Sequence, residues 1–310
     1  MHRILITALM TAAAWSQVGP AGKDPNAATV WVNPPKAGTL PEGVTHHTYA
    51  SPSMKHDVGY LIYLPPDYGS ASGKRYPVIY NLHGAGGNEL HGQQAAAILH
   101  AGIIKGQWPP MILVMPNGGK YTFYKDSADG KYMGETTIIR ELIPHIDKTY
   151  RTIASLAGRA IEGFSMGGRG ATRLALKYPE MFCSLFNQAG NVFHTADLFD
   201  PSKPEEYPNN YLGKDKARYI ENDAYLILAK NLDRIKGTLR IQVACGTKDD
   251  GHLPSVREFH QALVKAEVDH TYWELEGLAH EQAKMLDRYK GIWFDYHVES
   301  FRRAAGGKMQ

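Results

Sequence analysis

Cysteine is scarce in this sequence, with only Cys183 and Cys245 among 310 residues. That excludes a disulfide-stapled scaffold and a cysteine-based zinc site. Neither sign of charge dominates, since 34 Lys and Arg face 31 Asp and Glu, so no basic footprint recommends a nucleic acid partner. Long apolar runs are missing too; none approaches the roughly 20 residues of a membrane-spanning helix. Internal repeats and low-complexity tracts are likewise absent, which removes solenoids and arrays. What remains is a globular composition, 43% hydrophobic with 31 glycines and an aromatic set led by 18 Tyr. The length suits one large domain or two small ones.

Residues 1–22 combine a basic start at Arg3, an apolar stretch from Ile4 to Trp15 and small residues after it. This is the layout of an export signal. The mature chain is expected to begin between Ala14 and Lys23 and to be secreted or periplasmic, with no membrane attachment after cleavage; an uncleaved anchor or a frayed helix is the alternative. Residues 23–44, rich in Pro, Gly and Ala, read as an irregular lead-in. Residues 45–310 read as a single domain.

From His47 onward short β-type runs alternate with helical periodicity, the pattern of a mostly parallel sheet flanked by helices, an α/β fold. The expected strands are Val58–Leu64, Tyr76–Leu82, Met111–Met115, Arg159–Gly163, Phe182–Asn187, Leu239–Ala244 and Thr271–Leu275. Apolar stripes at Ile139/Leu142/Ile143/Ile146, Ala171/Leu174/Ala175/Tyr178 and Val256/Phe259/Leu263 mark helices, the first bent by Pro144. Residues 191–238, with Pro201, Pro204 and Pro208, interrupt the alternation and read as an insertion over the sheet ends.

Gly163-Phe164-Ser165-Met166-Gly167 fits G-x-S-x-G with a buried strand before it and an amphipathic helix after it. In that setting the serine hydroxyl is held clear of the backbone on a sharp turn. A plain glycine-rich turn is the alternative on five letters alone. Two further elements count against it. His83-Gly84-Ala85-Gly86-Gly87 follows the strand Tyr76–Leu82, where a backbone N–H can serve an oxyanion hole, so the donors are assigned to the amides of Ala85 and Met166, with Gly84 as second choice for Ala85. A dinucleotide fingerprint starting at Gly84 fails because Glu89 stands where glycine is required.

A serine nucleophile needs a base, and the base an orienting carboxylate, in the chain order Ser, acid, His. The strand Leu239–Ala244 runs into Cys245-Gly246-Thr247-Lys248-Asp249-Asp250, so Asp249 or Asp250 is the acid. Of the histidines beyond Ser165 (His194, His252, His260, His270, His280 and His297), His280 occupies the loop leaving the strand Thr271–Leu275 and is assigned as the base. His260 falls beside an apolar stripe and reads as packing. A zinc H-E-x-x-H reading of His280-Glu281 fails at Lys284, so neither metal nor cofactor is implied.

Together these residues resemble the esterase-D-like, feruloyl-esterase-like branch of the α/β-hydrolases, a group that includes acetylxylan esterases, enterochelin esterases and mycolyltransferases. The likeness spans roughly His47 to Phe301 and rests on the HGAGG loop, Glu141-Leu142-Ile143-Pro144, Gly163-Phe164-Ser165-Met166-Gly167-Gly168, Gly246-Thr247-Lys248-Asp249 and Gly277-Leu278-Ala279-His280. It implies an α/β-hydrolase fold, and its Gly-Thr-x-Asp turn favours Asp249 over Asp250. Where such members often have Trp-Tyr-x-Asp, this sequence departs with Phe123-Tyr124-Lys125-Asp126.

The expectation is therefore an exported serine carboxylic-ester hydrolase with the triad Ser165, His280 and Asp249. The resemblance implies feruloyl or acetyl esters of plant polysaccharides as substrates. Tyr121, Phe123, Tyr124 and Trp108 are candidate stacking groups, and Tyr207, Tyr211, Asn209 and Asn210 suit a hydroxyl-bearing ligand. Acyl transfer to a sugar, an enterochelin-type esterase and a binding protein that lost the chemistry are the rival readings. Cys183 and Cys245 fall at opposite ends of neighbouring strands, about 15 Å apart at ~3.3 Å per residue, and are expected as free buried thiols.

Overall fold

The computed structural model describes residues 24–202 and 209–306. The export segment 1–22 and Tyr207 lie outside the described residues, as do the side chains of Asn209 and Asn210. Eight strands form one sheet: β1 Val44–Ser51, β2 His56–Tyr63, β3 Val78–Leu82, β4 Ile112–Pro116, β5 Arg159–Phe164, β6 Ser184–Gln188, β7 Arg240–Gly246 and β8 His270–Leu275. Their order is β1-β2-β4-β3-β5-β6-β7-β8. β2 pairs antiparallel with β1 and β4, and the remaining neighbours are parallel. Every residue of β3, β4 and β6 is buried, as a sheet covered on both faces requires. The covering helices are α1 Gln93–Ile104, α2 Ile143–Thr149, α3 Met166–Lys177, α4 Ala224–Ile235, α5 Leu253–Lys265, α6 Gln282–Tyr289 and α7 Ile292–Ala304.

Chain direction explains where chemistry gathers. From β3 the chain crosses to β4 on one side, whereas from β5 it crosses to β6 on the other. The ends of β3 and β5 therefore flank a topological switch point, the crevice in which open α/β sheets place their ligands. The loops bearing His83 and Ser165 both open there.

Several expected boundaries shift for local reasons. β3 begins at Val78, because Pro77 has no N–H for a ladder, and Tyr76 makes only an isolated bridge to Thr152. Pro144 does not break its helix. Residues Thr137–Leu142 are wound as a π-helix, the Ile143 amide bonds the Ile138 carbonyl, and Pro144 falls in the first turn of α2, where its ring is tolerated. The block 191–238 is corrected in part: α4 packs along α3, with Asn231 Nδ2 donating to the Leu176 carbonyl at 2.8 Å. It is the ordinary crossover helix into β7 and does not belong to an insertion.

Both cysteines are free and buried. Ser184 pairs with Arg240 across β6 and β7, so Cys245 lies five residues beyond the position level with Ser184, about 16 Å at ~3.3 Å per residue. Burial pushes the Cys183 thiol up to about 12, which leaves it unreactive near neutrality.

The irregular lead-in is fastened to the body. Glu89, buried just after the HGAGG turn, accepts from the Asn33 amide at 2.6 Å, Asn33 Nδ2 at 2.9 Å and Asn117 Nδ2 at 2.8 Å. Asn26 Oδ1 accepts from the Tyr121 amide at 2.8 Å, and Asp24 Oδ2 from the Tyr132 hydroxyl at 2.6 Å. The lead-in thus braces the loop that runs beside the crevice.

Candidate active site

Ser165 stands between β5 and α3 with φ 55° and ψ −118°, a conformation that non-glycine residues hold only when their surroundings enforce it. The Ser165 amide donates to the Gln188 carbonyl at 2.8 Å, and the Ser165 carbonyl accepts from the Arg169 amide at 3.0 Å. Glycine is required beside it. A Cβ on Gly163 would lie 2.4 Å from the Gly167 carbonyl carbon, and one on Gly167 would lie 2.0 Å from the Leu82 carbonyl oxygen. Backbone meets backbone there, so no side-chain rotation relieves either contact.

His280, in the loop after β8, brings Nε2 to 2.8 Å from Ser165 Oγ and Nδ1 to 2.6 Å from Asp249 Oδ2. Asp249 sits in the turn between β7 and α5 and is buried, whereas Asp250 is exposed. The two loops are laced together by the Lys248 amide, which donates to the Leu278 carbonyl at 2.9 Å. Gly246 allows that approach, because a Cβ there would lie 2.1 Å from the Leu278 oxygen. Burial alone would raise the Asp249 pKa, but hydrogen bonds from His252 and His280 outweigh it and hold the carboxyl well below the usual range. The carboxylate is ionised, so the proton of the Nδ1–Oδ2 bond belongs to His280, leaving Nε2 free to accept from the serine.

His252 is a member of this cluster that sequence reasoning passed over. Its Nδ1 lies 2.8 Å from Asp249 Oδ1, and its ring is parallel to that of His280, with centroids 3.8 Å apart and planes 5° apart. The Phe164 ring also approaches His280, at 4.6 Å. Asp249, His252 and His280 present their ligand atoms within 4.8 Å of one another. Parallel rings, however, aim their Nδ1 atoms side by side instead of at one point, a poor arrangement for an ion that needs convergent donors.

Gly84 and Ala85 follow β3 directly over the serine, and a Cβ on Gly84 would lie 3.5 Å from that of Ser165. The buried His83 side chain holds this turn in shape. The Gly118 amide donates to His83 Nε2 at 3.0 Å, which places the ring proton on Nδ1, 2.8 Å from the Gly84 carbonyl. Burial lowers the His83 pKa to about 4, so the ring stays neutral and both bonds persist at neutral pH. Met166 opens α3, whose first amides have no partner within the helix and face the same crevice. Met166 thus directly follows the serine, and Ala85 directly follows the Gly84 that lies against it.

The aromatic expectations divide. Tyr124 is corrected: it is fully buried and its hydroxyl donates to the His83 carbonyl at 3.0 Å, so it supports the turn from below instead of stacking on a ligand. Phe123 and Tyr124 both adopt positive φ, 50° and 54°, and Arg173 secures that strained turn by donating to the Tyr124 carbonyl. Phe123 is largely covered, with the Arg169 guanidinium 4.9 Å from its ring. Tyr211 is corrected too, since it is buried against Tyr132 and its hydroxyl donates to the Lys125 carbonyl at 2.8 Å. Trp108 lies at the start of β4, at the opposite end of the sheet, and its indole donates to Asp295 Oδ1 at 2.6 Å. Among the described residues of this set, Tyr121 alone stays partly exposed beside the turn, its hydroxyl 3.4 Å from a Cβ placed on Gly86.

His297 forms another serine–histidine–acid grouping, wholly buried in the core: Nε2 lies 3.2 Å from Glu162 Oε2, and Nδ1 2.8 Å from Ser184 Oγ. It is a structural look-alike of the first, out of reach of solvent. Among the described residues no helix is long and apolar enough to cross a membrane.

A serine on a strained strand-to-helix turn, a histidine–carboxylate pair and two amide-bearing turns at the switch point of a mostly parallel sheet define an α/β-hydrolase-fold protein. Residues 51–292 match the family described as Esterase, and the chain belongs to that family. An esterase of Mycobacterium tuberculosis is 34% identical over 148 residues, 47% of this chain and 32% of that protein. The endo-1,4-beta-xylanase/feruloyl esterase of Xylanibacter ruminicola is 38% identical over 149 residues, 45% of this chain and 20% of that protein. The chain thus spans a third or less of these relatives' length. A solved ferulic acid esterase superposes with a TM-score of 0.70 at 24% identity, covering 83% of this chain and 98% of that one.

Proposed function

We propose that this chain is an exported serine esterase acting on feruloyl or acetyl esters of plant polysaccharides. The observation that carries the reading is the continuous hydrogen-bond chain from Ser165 Oγ through His280 to Asp249. Ser165 Oγ attacks the ester carbonyl while His280 Nε2 takes its proton, and the amides of Met166 and Ala85 receive the developing oxyanion. The alcohol departs with the proton returned by His280, leaving an acyl-Ser165. Water, deprotonated by His280, then releases the acid. No cofactor enters this sequence of steps.

The substrate class draws support from the named activity of the Xylanibacter relative and of the ferulic acid esterase neighbour. Tyr121, partly exposed beside the oxyanion turn, supplies a face on which a hydroxycinnamoyl ring stacks. Export rests on the composition of residues 1–22. The test compares kcat/KM for methyl ferulate, p-nitrophenyl acetate and p-nitrophenyl palmitate in the parent and in Tyr121→Ala. The expected result is little turnover of palmitate and a loss in the variant of about 5- to 10-fold on ferulate, as one lost stacking contact implies, with acetate little changed. A preference for palmitate, or an equal loss on ferulate and acetate, overturns the substrate assignment.

A further inference from the structure

Resting on the esterase reading above, we infer that His252 is a positioning residue of the same reaction, a second imidazole that holds the Asp249 carboxylate in the orientation His280 needs.

Asp249 has two carboxylate oxygens and two imidazole partners. Oδ2 lies 2.6 Å from His280 Nδ1, and Oδ1 lies 2.8 Å from His252 Nδ1. A carboxylate bonded through one oxygen alone can rotate about its Cβ–Cγ bond and carry its partner out of line; bonded through both, it cannot. His252 is well placed to act this way, because the turn carrying Asp249 also fixes His252: the His252 amide donates to the Asp249 carbonyl at 3.1 Å, immediately ahead of α5. The stack adds a second restraint, as the parallel rings 3.8 Å apart limit tilting of the His280 plane about its bond to Asp249. The downward shift of the Asp249 pKa agrees with this arrangement, His252 being one of the two donors responsible.

Removing the His252 side chain leaves Oδ1 as a buried acceptor without its partner, and buried groups of that kind draw in water or rotate to find a donor. Either response loosens Oδ2 from His280. Since Nε2 of His280 must meet Ser165 Oγ within a narrow range of angle, the loss falls on the chemical steps and not on binding.

The experiment uses His252→Ala, His252→Asn and His252→Phe. Asparagine places an amide N–H at the same bond distance from Cβ as the imidazole Nδ1–H, whereas phenylalanine keeps an aromatic face and supplies no donor. With p-nitrophenyl acetate, His252→Ala is expected to lose about 10- to 30-fold in kcat with KM within about twofold, the scale typical of partners that orient a reacting group. His252→Asn should recover to within about threefold of the parent, while His252→Phe should remain near the alanine value. In parallel, the low-field proton NMR signal of the His280 Nδ1–H should broaden or shift in His252→Ala and return in His252→Asn. Thermal unfolding of each variant identifies any that fail to fold. Parent-like kcat in the alanine variant overturns the inference, as do a loss confined to KM and a folded asparagine variant with no recovery. If the parent turns over no ester, the esterase reading fails instead, and the NMR signal still reports whether His252 orders the Asp249–His280 bond.

Discussion

Replacing Ser165 by alanine is expected to reduce hydrolysis of p-nitrophenyl acetate by about 10⁴-fold or more, and His280→Ala should do the same. The two losses should not add, because nucleophile and base act as a unit and the double variant has nothing further to lose. The carboxylates discriminate more sharply. Asp249→Asn exchanges an acceptor for an amide that can direct N–H toward His280, favouring the wrong tautomer, a change that can cost about 10⁴-fold in kcat in a serine triad. Asp250→Asn should change kcat less than about twofold, the scale of an exposed side chain outside the hydrogen-bond chain. Equal effects at 249 and 250, measured as initial rates on purified, folded protein, would contradict the geometry at this turn.

The second large effect is one of folding. Gly167→Ala puts a methyl group 2.0 Å from the Leu82 oxygen, 2.6 Å from the Leu82 carbonyl carbon and 2.8 Å from the His83 oxygen. All three belong to the backbone of β3 and its turn. Relief requires α3 to move away from β3, which separates the serine turn from the oxyanion turn. The expected cost is about 3 kcal/mol or more, a fall of roughly 5 °C or more in Tm for a chain of this size. Gly251→Ala is the control, since a Cβ there meets nothing within 4 Å and its φ is not positive; it should stay within about 0.5 kcal/mol of the parent. Differential scanning calorimetry compares the two directly, and a Gly167→Ala protein as stable as Gly251→Ala would show that the close approach of α3 to β3 is not required.

The residues of the candidate site were legible where chemistry imposes local rules. A serine turn needs small neighbours on both sides, so Gly163 and Gly167 advertise Ser165 in five letters, and the chain order of nucleophile, acid and base confines both partners to positions beyond Ser165. Choosing Asp249 over Asp250 took a resemblance, because two adjacent aspartates in a turn look alike until their burial is known. His252 was illegible for a related reason: its bond to Asp249 and its stack on His280 depend on how one turn folds back and on a loop 28 residues further on. Tyr124 was misread because an aromatic near a glycine-rich loop suggests a ligand, whereas positive φ and the hydrogen bond to the His83 carbonyl bury it. β1 escaped notice because its VTHHTYAS sequence carries few apolar residues, as suits an edge strand with one neighbour. α1, rich in alanine, shows little contrast between its faces. Tertiary contacts decide all of these, and periodicity cannot reveal them.

The central claim is that Ser165 is the nucleophile, and its most direct test is covalent. An excess of a serine-directed fluorophosphonate, followed by intact mass measurement and peptide mapping, should add one phosphonyl group per chain, on the peptide containing Ser165. The adduct should be absent from Ser165→Ala and formed far more slowly in His280→Ala, because without its base the serine remains a neutral hydroxyl. No adduct on the folded parent protein, or an adduct on another residue that persists in Ser165→Ala, would contradict the account.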